Sequence, residues 1–133
     1  LSTCIFGILA SRIGRHEDAY TYFAQSARMD LDDYHDNFYA GIHAANMAGT
    51  WQSIVFGFAG LRLVNGVPEF KFYIPEAWNG YHFTVKIKRS VLAVDVLPDG
   101  WTITLQSGDS VNFLVEGKPY KLTEKGATCH EAL

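Results

Sequence analysis

Positive charge is not in surplus here: 11 Lys and Arg stand against 14 Asp and Glu, for a formal net charge of −3. A nucleic-acid binder releases counterions through a basic face, and this chain has no such excess. No run approaches the roughly 20 apolar residues that a membrane span needs. Neither a nucleic-acid nor a membrane partner is therefore expected. The stretch from Leu1 to Ala10 has no charged flank ahead of its apolar residues, so it makes a poor signal peptide and reads as a processed or cut start. The two cysteines, Cys4 and Cys129, lie at opposite ends of the chain. That spacing gives neither a CxxC pair nor a disulfide framework, and a reducing, cytoplasmic compartment is expected. Gly41, Gly49, Gly57 and Gly60 follow no strand and make no nucleotide-binding fingerprint. His16-Glu17 opens like a zinc-protease motif, but Tyr20 occupies the place of the second histidine, which rules the motif out. Ser2, Ser11 and Ser53 lack the strand–turn–helix context of a nucleophile elbow. No cofactor and no metal are expected.

What remains is a 133-residue chain, 48% hydrophobic, of a size for one domain or two small pieces. Its two parts have different periods. Ile5, Ile8, Leu9 and Ile13 follow helical spacing, with Gly14 as a stop. Tyr20, Phe23, Ala24 and Ala27 repeat that spacing, and Glu17 and Asp18 sit in the first turn, where the helix dipole favours acids. Residues 30–40 read as a polar and aromatic loop. Ile42–Phe58 reads as a third helix, apolar on nearly every face and so in need of neighbours on all sides. That need leads us to expect a homo-oligomer.

From Leu61 onward the period changes to two. Asn65-Gly66 between Leu61–Val64 and Glu69–Tyr73 is a hairpin signal. Tyr81, Phe83, Val85 and Ile87 alternate with His82, Thr84, Lys86 and Lys88, the pattern of a half-buried strand. Val91–Val96, Trp101–Gln106, Val111–Glu116 and Tyr120–Thr123 follow, separated by Gly- and Pro-containing turns. About six or seven short antiparallel strands at this spacing predict a β-sandwich, jelly-roll-like in type. The boundary falls near Gly60. Three helices are too few to cover the third of them. The expected architecture is therefore α+β: residues 1–60 as the closing helices of a larger α-helical domain, and residues 61–133 as a C-terminal β-sandwich.

His43 stands at the start of the third helix, beside the unpaired N–H groups that suit an anion. The competing reading, and the commoner role of a lone histidine, is a structural one, bonded to a neighbouring carbonyl in the core. Asp30, Asp32, Asp33 and Asp36 form an acidic cluster suited to acid–base work or a hard cation. Capping and a salt bridge to Arg28 are the competing reading, and the spacing does not fit an EF-hand. Trp78, Trp101, Tyr73 and Tyr81 make either a sugar-stacking platform or sandwich core.

Two runs carry a resemblance. Ala27-Arg-Met-Asp-Leu-Asp-Asp-Tyr34, then Gly41-Ile-His43 with Met47-Ala-Gly-Thr-Trp51, resemble signature motifs of the disaccharide phosphorylases of glycoside hydrolase family 65. Nearly the whole chain resembles the C-terminal end of those enzymes, whose (α/α)6 barrel is followed by a small β-sandwich. The resemblance implies an enzyme that cleaves an α-linked glucose disaccharide with inorganic phosphate, inverting, to β-glucose 1-phosphate. In it a Glu serves as general acid, and no residue of this chain matches that motif. His43 matches the position that contacts phosphate, and Ser2 lies in a run that supplies a second phosphate contact. The partners so implied are inorganic phosphate, the disaccharide and the rest of the barrel, and the present chain alone is expected to be inactive. Two readings of another class stay open: a carbohydrate-binding sandwich with a helical extension, which needs a solvent-facing aromatic platform, and a protein-interaction module.

Overall fold

A computed structural model describes residues 2–33, 36 and 38–133. Tyr34, which ends the first signature run, lies outside the described residues. The chain separates into two compact units, Leu1–Gly60 and Leu61–Leu133.

The first unit holds α1 (Thr3–Arg12), α2 (His16–Arg28) and α3 (Ala44–Gln52), with a short 3₁₀ turn at Phe38–Ala40. Gly14 ends α1 as expected. At φ 79° it lets Arg15 N–H reach the carbonyl of Ala10, 2.9 Å away, and its own N–H reach Ser11. These two bonds satisfy carbonyls of the last turn.

The third helix differs from the reading over Ile42–Phe58. It starts at Ala44 with His43 as N-cap, and Ser53–Phe58 continues as π-helix. There the N–H of Ala59 bonds the carbonyl of Ile54, five residues back, at 2.8 Å. Nor is this helix covered on all sides. α3 turns Asn46 and Gly49 inward, followed by Ser53, while Met47 and Trp51 stay exposed. α1 likewise buries Cys4, Gly7, Ile8 and Ala10 and leaves Ile5, Leu9 and Ile13 exposed. The reason is close approach. A Cβ on Gly49 would lie 2.6 Å from Cys4 Sγ, and one on Gly57 3.1 Å from Ser11 Oγ. Small side chains allow the two backbones to meet, and the large apolar ones point away from the contact.

These contacts also fix direction. Cys4 lies opposite Gly49 and Ser11 opposite Gly57, so α1 and α3 run the same way. α2 runs against them: Gly7 of α1 faces Ala19, while Ser26, near the end of α2, meets Asn46 in the first turn of α3.

The second unit has eight strands: β1 (Arg62–Val64), β2 (Val67–Phe70), β3 (Tyr81–Ile87), β4 (Ser90–Leu97), β5 (Gly100–Ser107), β6 (Val111–Val115), β7 (Lys118–Leu122) and β8 (Thr128–Glu131). They make two four-stranded sheets, ordered β1-β2-β6-β7 and β3-β4-β5-β8. Val64 pairs with Val67 around Asn65-Gly66, both at positive φ, as the hairpin signal requires. The all-antiparallel expectation fails at one place, because β2 and β6 are parallel. The chain leaves the first sheet after β2, builds β3-β4-β5 in the second, and returns at β6. Trp101 of β5 lies 6.2 Å from Phe113 of β6 and 5.0 Å from Tyr120 of β7, so the sheets face each other. Phe70, Leu92, Val94, Ile103 and Leu105 fill the space between them.

Candidate functional site

His43 is built into place from the end of α2. The chain turns after Arg28, and the first residues of that turn include Asp30. Asp30 Oδ2 accepts the backbone N–H of His43 at 3.0 Å, and Oδ1 lies 2.5 Å from Nδ1 of the ring. Both side chains are partly exposed, His43 at 29% and Asp30 at 27%. His43's side-chain and backbone bonds hold the Asp30 carboxyl below the usual carboxylate range. The two bonds fix the orientation of the imidazole and assign Nδ1 to the carboxylate. A ligand of the ring is then met by Nε2. When the imidazole is protonated, its second N–H can serve an anion while Asp30 balances its charge.

A second tie fixes α3 itself. Ser26 and Asn46 are both 2% exposed. Ser26 Oγ–H donates to Asn46 Oδ1 at 2.9 Å, and the Asn46 amide donates back to the Ser26 carbonyl. Asn46 N–H bonds the His43 carbonyl at 2.8 Å. Ser26 and Asp30, one turn apart on the α2 side, thus hold Asn46 and His43, one turn apart on the α3 side.

Ser2 is the N-cap of α1 and is exposed. Its carbonyl accepts the N–H of Phe6 at 3.0 Å, and its hydroxyl makes no cap bond. Because α1 and α3 are parallel, Ser2 and His43 stand at the same end of the helical unit.

The acidic cluster disperses. Asp30 serves His43, while Asp32 takes Arg28 in a two-point ion pair at 2.6 Å, which lowers the Asp32 carboxyl. Asp33 and Asp36 occupy positive-φ turn positions. Among the described residues no group of three or more His, Cys, Asp or Glu could hold a metal. Salt bridging to Arg28 was therefore the right account of Asp32, whereas the role of Asp30 was missed. Its only signal was that Asp30 and His43 fall in the two runs singled out above. Trp101 is 3% exposed and packed by Phe72, Phe113 and Tyr120, which makes it core and removes it from any sugar platform. Tyr81 places its hydroxyl in the interior, where burial pushes the phenol up.

Residues 1–52 match the glycosyl hydrolase family 65 central catalytic domain, and residues 61–122 match the family's C-terminal domain. The chain belongs to glycosyl hydrolase family 65. It is 40% identical over 124 residues to an α,α-trehalose phosphorylase of Geobacillus stearothermophilus, covering 93% of this chain and 16% of the relative. It is 36% identical to a kojibiose phosphorylase of Caldanaerobacter subterraneus, covering 92% of this chain and 16% of that one. A solved structure from the human microbiome, provisionally assigned as a kojibiose phosphorylase, superposes with a TM-score of 0.90 at 34% identity. That match covers 100% of this chain and 18% of that chain. The chain thus spans about 16% of the length of these curated relatives. No described helix is long and apolar enough to cross a membrane.

Proposed function

We propose that the protein to which these residues belong cleaves an α-linked glucose disaccharide with inorganic phosphate, inverting the anomeric centre to give β-glucose 1-phosphate. The carrying observation is the Asp30–His43 pair at the head of α3, inside the segment that matches the family's catalytic domain. A phosphate nucleophile must be held in line with the anomeric carbon against its own charge. An imidazole fixed by a carboxylate is a donor whose orientation needs no further ordering. In this reading His43 and Ser2 contact phosphate, Asp30 positions His43, and the general acid comes from elsewhere in the longer protein.

The parallel α1 and α3 with antiparallel α2 support residues 1–60 as closing helices of an (α/α)6 barrel. Residues 61–133 then form its C-terminal sandwich, jelly-roll-like in course. The 133 residues alone are inactive in this account.

The test is the longer protein assayed with trehalose, kojibiose and maltose, with and without phosphate, the product followed by proton NMR. Phosphate-dependent release of the β-anomer is expected. Phosphate-independent hydrolysis, or an α-phosphate product, would overturn the reading.

A further inference from the structure

One end of the β-unit carries a cavity of about 220 Å³, bounded by three turns. Val67, Pro68 and Val111 form its apolar part, and Lys88, Arg89 and Ser110 are among the polar residues around it. The turns are tied to each other. Ser90 Oγ–H donates to the Asp109 carbonyl at 2.6 Å, and a Cβ on Gly108 would lie 2.0 Å from the Arg89 carbonyl. The concavity is therefore preformed. Lys88 sits at φ 56°, a conformation that glycine or asparagine adopts most readily, yet the turn carries a cation there. Neither Lys88 nor Arg89 makes an ion pair among the described residues, and Asp109 is the single acid lining the space.

We propose that this end of the sandwich binds a monosaccharide-sized anion: a hexose bearing a phosphate or a carboxylate. The volume accommodates about one sugar ring. The apolar wall suits a ring face, Ser110 and Asn112 suit hydroxyls, and the two cations suit the charged group. The site belongs to the β-unit and is independent of the His43 reading.

The test titrates the isotope-labelled chain with glucose 1-phosphate, glucuronate, glucose and inorganic phosphate, observed by amide NMR. Shifts at Gly66, Lys88–Ser90 and Asp109–Asn112 are expected with one or both anionic sugars and not with glucose, and the tighter anion names the source. Arg89→Gln and Lys88→Asn lie on an exposed turn, and each should weaken binding by about tenfold with the remaining spectrum unchanged. Absence of shifts at these turns, equal response to inorganic phosphate and to the sugar anions, or unaltered binding in both variants would each overturn the proposal. Shifts at His43 alone would speak for the phosphate site of the helical unit and against this one.

Discussion

Asp30 grips His43 at two points, accepting its backbone N–H at 3.0 Å and meeting its ring Nδ1 at 2.5 Å. One carboxylate thereby sets both where α3 begins and how the imidazole is turned.

The pairing has a pH signature. Above the ordinary carboxylate pKa of about 3.9, Asp30 is ionised in folded and unfolded chains alike, and the stabilisation is fully present. Because His43 lowers the folded-state value, that stabilisation is lost only as pH falls through the lower midpoint. Carbon-13 titration of the Asp30 carboxyl should give a midpoint below the ordinary range, returning toward it in His43→Ala. An ordinary midpoint in the unaltered chain would contradict the pairing.

Gly49→Ala should destabilise the helical unit by about 1–3 kcal/mol, the usual cost of overpacking. The new methyl would meet Cys4 Sγ at 2.6 Å and Cys4 Cβ at 2.9 Å. Cys4→Ala combined with it should cost less than the sum of the two single changes, because the sites share one contact. Thermal unfolding of the three variants decides, and strict additivity would mean the helices do not approach this closely.

Asn46→Ala should cost about 1–3 kcal/mol, because it removes the acceptor of the buried Ser26 hydroxyl together with a donor to the Ser26 carbonyl. Denaturant unfolding measures this. A change of a few tenths would mean that the Ser26 hydroxyl has found another partner.

The exposed apolar residues of the helical unit predict association. Ile5, Phe6, Leu9, Met47 and Trp51 are each 44–60% exposed. Apolar patches beyond about a few hundred Å² are covered in most soluble proteins. The 133-residue chain should bind a hydrophobic dye and scatter light as more than a monomer. A clean monomer with no dye binding would contradict this.

Much of this architecture was legible because it is local. The Asn65-Gly66 turn, the alternation of Tyr81–Ile87 and the Gly14 stop each depend on a few neighbouring residues. What was missed depends on distant partners. Thr128–Glu131 has no apolar alternation and becomes β8 only by pairing with β5. The parallel β2·β6 pair arises from the path of the chain between sheets. Hydropathy points to cover on every side of the third helix, whereas close packing through Gly49 and, in the π-helical continuation, Gly57 selects one side. At the site, His43 was visible as a candidate, but its orienting carboxylate lies 13 residues away, in a cluster of acids that offered no preference among them.

The most direct test of the functional account is His43→Ala in the longer protein, assayed for phosphorolysis of its disaccharide and of α-glucosyl fluoride. Loss of one charge-assisted contact to the phosphate predicts roughly 2–4 kcal/mol less transition-state stabilisation, with weakened phosphate dependence. The fluoride should not restore the rate, since its good leaving group replaces a general acid and not a nucleophile's anchor. Full rescue by the fluoride, or an unchanged dependence on phosphate, would show that His43 does not hold the nucleophile.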